Sequence, residues 1–177
     1  MIEQLQTIFK DSLDEFFTSQ LANIEAGISE RNLCSRLAMI LEPKAQDAGL
    51  TDYFADTEYN RNHGKVKTIL DQNAVVVRIN CDLLLHSRGR LTPDNLIAIE
   101  MKKAERPAKE EDEDCERLRT LTKSSYDDVT VIAGDVQPEH VCGYKLGYFL
   151  WIDSESRVYR LKEFSNGEFV SELAIDF

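Results

Sequence analysis

The stretch AVVVRINCDLLLHSRGRLTPDNLIAIEMKK, residues 74–103, decides how this chain reads. Its first half, AVVVRINCDLLLHSRG (74–89), carries β-branched and leucine runs that suit a strand buried on both faces. Arg90–Asn95 contains Pro93 and Asp94 and reads as a turn. NLIAIEMKK (95–103) reads as the returning strand. With the turn centred near Leu91 and Thr92, antiparallel pairing sets Asp82 opposite about Met101, which Glu100 and Lys102 flank. Side chains alternate along a strand, so Glu100 and Lys102 share a face. Asp82, Glu100 and Lys102 are therefore expected to converge at one end of an otherwise apolar sheet, among Leu83, Leu84, Leu85, Ile97 and Ile99.

Burying two carboxylates and a lysine is costly unless they pair or bind a cation. A hard divalent ion resolves that cost, and Mg²⁺ suits one or two carboxylates plus a substrate phosphate. Such an ion lowers the pKa of bound water and stabilises charge on the phosphate. The lysine would orient or deprotonate the attacking water, or offset transition-state charge. The competing reading is that Glu100 and Lys102 are exposed neighbours on a solvated face.

Outward from this stretch the periods are clear. The N-terminal segment places Leu5, Ile8, Phe9, Leu13, Phe16 and Phe17 on one helical stripe, predicting a helix over 2–21. Ser29 is a good N-cap for a second helix carrying Leu33, Leu37, Ile40 and Leu41. Pro43 is expected to kink or shorten that helix, and Gly49 to stop it. Strands are expected at 53–61, 129–134, 144–153 and 157–164, a charged helix at 108–123, and strand or edge extension at the end. The order is a mixed sheet with helices against it, an α/β fold in one domain over 1–177.

Composition narrows the setting. The 177 residues are 42% hydrophobic and 30% charged, as in a folded globular protein. No apolar run approaches the roughly 20 residues that span a bilayer, so no membrane role is expected. The N-terminus lacks the basic and apolar regions of an export signal. Cys34, Cys81, Cys115 and Cys142 are scattered, which suits reduced thiols and no structural zinc. A cytoplasmic location is the expectation. The net charge of -11 sits awkwardly with nucleic-acid binding, which phosphate neutralisation drives. Residues 60–106, however, hold nine Lys and Arg against five Asp and Glu, a local balance of +4 that leaves -15 elsewhere.

Asp82 followed by Glu100-Met101-Lys102 resembles the D…E-x-K signature of the PD-(D/E)XK phosphodiesterase superfamily, which includes restriction endonucleases and Holliday-junction resolvases. The wider pattern SERN…EYNR…DLLLH-RG…NLIAIEMKK also resembles a group of small bacterial proteins of that superfamily. The resemblance implies a restriction-endonuclease-like α-β-β-β-α-β core over about 29–153, with an extra N-terminal helix. It implies a Mg- or Mn-dependent nuclease, a hydrolase cutting DNA by water attack. Asp82 and Glu100 would be metal ligands, Lys102 the catalytic lysine, and Glu30 the family's helical acidic residue. The proline that usually precedes the first Asp is Cys81 here.

Other residues carry two readings each. Glu30 lies three and seven residues before Leu33 and Leu37, on the buried stripe, and is also a first-turn acid suited to the helix dipole. Glu58 would join the metal, directly or through water, from a face shared with Asp56, or pair with Arg61 on the surface. His86 and Arg88 follow Asp82 on its strand face and would touch phosphate or bond to the 90–95 turn. Arg61, His63, Lys65 and Lys67 form a basic loop, either a backbone-gripping nucleic-acid contact or a solvated loop. Glu110–Glu116 reads as a solvated helix face with Leu118 and Leu121 inward. A homodimer would supply two sites for two strands. The second functional reading is a catalytically silent nuclease-like module that binds a protein partner through the acidic helix 110–123. A third is an enzyme acting on a smaller phosphate ester.

Overall fold

The computed structural model describes residues 1–58, 81–124 and 142–177, with the backbone alone of four short strands between 61 and 78. In chain order the elements are α1 (Ile2–Glu25), α2 (Glu30–Asp47), β1 (Phe54–Thr57), β2 (Arg61–Asn62), β3 (Lys65–Val66), β4 (Thr68–Leu70), β5 (Val76–Arg78), β6 (Leu83–His86), β7 (Asn95–Lys103), α3 (Ala108–Thr122), β8 (Leu146–Asp153), β9 (Val158–Ser165) and β10 (Glu168–Asp176). The fold is α/β: the described residues form three helices and a mixed six-stranded sheet ordered β1-β6-β7-β8-β9-β10. Only β7 and β8 pair parallel in that sheet, and α3 lies in the chain between them. The expected strand at 129–134 lies outside the described residues. Among the described residues, no helix is long and apolar enough to cross a membrane.

Strand alternation divides the core in two. Leu83, Leu85, Ile97, Ile99, Met101, Tyr148 and Leu150 join the buried stripes of α1 and α2. Leu84, Ala98 and Phe149 join Leu118 and Leu121 of α3. The sheet therefore has α1 and α2 on one face and α3 on the other. Phe9 of α1 stacks on Tyr148 with ring centroids 4.0 Å apart, and Phe17 stacks on Tyr159 at 4.3 Å. On the α3 face, a Cβ at Gly147 would stand 3.0 Å from Thr122 Cγ2 and 3.4 Å from Leu118 Cβ, so the helix lies directly on the β8 backbone.

The helices depart from expectation in small ways. α1 runs on to Glu25 because Ile24 continues the buried stripe past Leu21. It stops at Gly27, φ 69°, where Gly27 N–H donates to the Ile24 carbonyl and Ile28 N–H to the Asn23 carbonyl. Ser29 caps α2 through a bond from Asn32 N–H, as expected. Pro43 neither shortens α2 nor ends it, and the helix continues through buried Ala45 to Asp47. Pro43 is exposed, so the hydrogen bond it removes is on the water-facing side.

The central hairpin needs two corrections. The run 74–89 is not one strand: β5 pairs with β4 in a separate small sheet, and β6 starts only at Leu83. The register is also one residue off. β6 sets Leu83 against Ile99 and Leu85 against Ile97, but His86 against Asn95. The turn is centred between Arg90 and Leu91, not Leu91 and Thr92, which alone would set Asp82 against Ile99. Leu96, the extra residue of a bulge, recovers one position and brings Asp82 beside Glu100. The turn spans Ser87–Asp94, gathered by Asp94 Oδ1, which accepts from Ser87 N–H, Ser87 Oγ and Gly89 N–H. Truncating Phe9 removes the ring that joins α1 to the centre of the sheet. Phe9→Ala should lower Tm by on the order of 10 °C, read by thermal melting.

Candidate functional site

The site stands where the β6–β7 ladder ends. Met101 N–H donates to Asp82 Oδ2 at 2.9 Å, and Cys81 Sγ donates to the Ile99 carbonyl at 3.2 Å. Two side chains thus finish a ladder that backbone groups would otherwise continue. Along β7, Ile97, Ile99 and Met101 point to α1 and α2. Ala98, Glu100 and Lys102 therefore point to α3. Asp82 and Glu100 stand side by side at the end of the ladder, close enough that each shifts the other's pKa. Asp82, Glu100 and Lys102 share one face, and Glu100 is only 1% exposed. Alternation predicted this for Glu100 and Lys102, whereas the expected register opposite Met101 would have turned Asp82 to the other face.

Burial dominates the electrostatics. It pushes the Glu100 carboxyl well above the usual range; the Asp82 charge adds to this and Arg117 opposes it. Burial raises Asp82 as well, against the Met101 N–H, the neighbouring Glu100 side chain and the Lys102 charge. Two buried carboxyls in contact favour holding a proton between them. Burial pulls the Lys102 ammonium down, but the Asp114 carboxylate outweighs it and leaves the pKa raised.

Two further residues were not foreseen. Arg117 Nη1 donates to Glu100 Oε1 at 2.6 Å and to Asp114 Oδ1 at 2.7 Å. Lys102 Nζ lies 3.2 Å from Asp114 Oδ2 and 3.7 Å from Glu110 Oε2. Asp114 is 4% exposed, and its Oδ2 has no hydrogen-bond partner beyond that ion pair. The run 110–116 is thus not simply a solvated face. Glu111 also turns inward, accepting from Lys162 Nζ at 2.6 Å and Arg160 Nη2 at 3.2 Å. The readable signal was the spacing: Asp114, Arg117, Leu118 and Leu121 fall on one helical stripe.

The remaining candidates are placed around this centre or away from it. Glu30 Oε1 accepts from the Lys103 N–H at 3.0 Å and from Arg106 Nε at 3.2 Å. Among the described residues Glu58 takes both arms of Arg31, at 2.6 and 2.7 Å; the expected pairing with Arg61 lies outside the described side chains. The Glu58 backbone turns left-handed, φ 51°, so it leaves the face of Asp56. The Cys34 thiol registers all four acids. Burial first, then Asp82, Glu100, Glu30 and Glu58 push its pKa up. The four share a neighbourhood, but Glu30 and Glu58 are engaged by other partners. Among the described residues, no three His, Cys, Asp or Glu side chains form a metal-ligand cluster. The pair that remains fits a hard ion with few protein ligands.

His86 and Arg88 both bind Asp56. His86 Nε2 is 3.1 Å from Asp56 Oδ2, and Arg88 forks onto both carboxylate oxygens at 2.7 and 2.6 Å. The Arg88 guanidinium also lies 4.2 Å over the Phe54 ring. The side chains of Arg61, His63, Lys65 and Lys67 lie outside the described residues. Comparison with family models, curated proteins and solved structures gives no significant match.

Two outcomes follow from these contacts. Burial pushes the Asp56 carboxyl up, but its bonds to His86 and Arg88 outweigh that and hold it well below the usual carboxylate range. A lowered carboxyl stabilises the fold above the unfolded pKa, and that contribution is lost on acidification. Wild type should lose stability below about pH 4, and Asp56→Asn should show a shallower acid limb in pH-dependent melting. Gln at position 100 keeps an acceptor for Arg117 while removing a carboxyl that burial makes costly to ionise. Glu100→Gln should therefore raise Tm at neutral pH by about 2–4 °C for each ~1 kcal/mol relieved.

Proposed function

We propose that this chain is a Mg²⁺- or Mn²⁺-dependent phosphodiesterase acting on DNA, a member of the PD-(D/E)XK superfamily with a restriction-endonuclease-like core. The observation that carries the reading is the placement of Asp82 beside Glu100 where the β6–β7 ladder ends, with Lys102 on the same sheet face. The order α2, β1, β6, β7, α3, β8 supports it, with β7 and β8 parallel around α3. Cys81 stands where the superfamily carries proline, and its thiol satisfies the Ile99 carbonyl there.

Asp82 and Glu100 would hold the ion, with water and substrate phosphate completing its shell. A bound ion supplies an acidified water and charge stabilisation at the phosphate. The protein's own part is to aim the two carboxyls. Met101 N–H fixes Asp82, and strand alternation fixes Glu100 beside it. The raised pKa of Lys102 keeps it cationic, which favours a charge-offsetting role over that of a base. The charge balance also suits a diester. Asp82, Glu100, Asp114, Lys102 and Arg117 are neutral together when the acids share one proton. A divalent ion in place of that proton leaves the cluster positive, facing an anionic phosphate.

A second reading, a catalytically silent module that binds a protein partner, draws on a different observation. Arg117 and Lys102 already neutralise the acids without a metal. Incubation with single-stranded, duplex and branched DNA in Mn²⁺ separates the two. The expected result is cleavage that Lys102→Ala reduces by about 10²–10⁴-fold, and calorimetric Mn²⁺ binding that Asp82→Ala abolishes. Failure to cleave any of these DNAs, together with no Mn²⁺ binding, leaves the silent module as the reading.

A further inference from the structure

We propose that Arg117 is a built-in counter-cation of the Asp82–Glu100 site, and that metal loads by displacing it from Glu100. This inference rests on the metal reading above. Arg117 Nη1 sits 2.6 Å from Glu100 Oε1, on a carboxyl that is 1% exposed. In that position the guanidinium does for Glu100 what a metal ion would do: it supplies positive charge to an acid that cannot be left bare. A metal ion and a guanidinium compete for the same carboxylate, so their binding is negatively coupled.

The site also holds a place for Arg117 to go. The same nitrogen already bonds Asp114 Oδ1 at 2.7 Å, from one helical turn away. Asp114 Oδ2 is buried and, among the described residues, has no hydrogen bond, only the Lys102 ion pair at 3.2 Å. Arg117 Nε and Nη2 have no hydrogen bond among the described residues. Released from Glu100, the guanidinium keeps Asp114, gains its second oxygen, and presents an unused edge. The exchange keeps every buried charge paired on both sides. It also sets a threshold: metal must outcompete an ion pair before the site is loaded.

The test is Mn²⁺ calorimetry on the full chain. Arg117→Gln should bind Mn²⁺ more tightly than wild type, by about 5–150-fold. Adding Asp82→Ala should abolish binding in both backgrounds. Equal or weaker binding by Arg117→Gln, with binding still lost in Asp82→Ala, overturns the exchange and leaves the metal reading intact. No Mn²⁺ binding by either protein removes the metal reading, and the exchange with it. Should Arg117→Gln not fold, the wild type decides. The arginine side-chain ¹⁵N–¹H signal that Arg117→Lys lacks should shift on saturation with diamagnetic Mg²⁺. A signal that stays fixed while Mg²⁺ binds overturns the exchange.

Discussion

The Met101 amide donates to a carboxylate, Asp82 Oδ2, where a sheet would ordinarily supply a carbonyl. Much of the molecule is arranged around that substitution. It ends the β6–β7 ladder at Leu83 and turns the Asp82 carboxyl onto Glu100. Two acids then meet under a helix, in a setting that water reaches poorly. Their burial requires compensating positive charge, which Lys102 supplies from the same strand and Arg117 from α3. Those cations in turn need Asp114, which is why an acid occupies the inward stripe of an otherwise ordinary amphipathic helix.

Much of this was legible in residues 74–103. The bounds of β7 follow from an apolar run set off by the turn before it, and the common face of Glu100 and Lys102 from strand alternation. The hairpin register did not follow, because nothing in SRGRLTPDNL centres the turn between Arg90 and Leu91 or marks Leu96 as a bulge rather than a paired residue. The separation of β5 from β6 was hidden for a related reason. An apolar run cannot show which sheet each half joins, and the break at Asp82 depends on its side chain taking a backbone role. Asp114 and Arg117 were on the page as a helical stripe, but local charge density pointed outward and the sheet's need for counter-charge pointed inward. The sheet prevailed, because leaving Glu100 unpaired costs more than burying one more ion pair.

The acidity of the chain reads differently once the contacts are known. Part of the excess is internal: Asp114, Glu100 and Glu111 face cations across α3 and the sheet. Glu30 and Glu58 are held by Arg106 and Arg31. Net charge measures long-range repulsion of polyanions, whereas the field at the sheet end is set by these short pairs. Asp56 illustrates the same economy of placement, drawing His86 and Arg88 into a clamp at the opposite end of β6 from Asp82.

Gly147 has a mechanical consequence. With no side chain there, α3 rests on the backbone of β8, touching through Leu118 and Thr122. Leu118 is the neighbour of Arg117, so the seating of the helix fixes how deeply the guanidinium reaches towards Glu100. The bare position on β8 acts as an anvil: the depth of the charged cluster is gauged from it. A methyl group placed there would be a wedge under the helix, opening the cluster from behind without touching any residue in it.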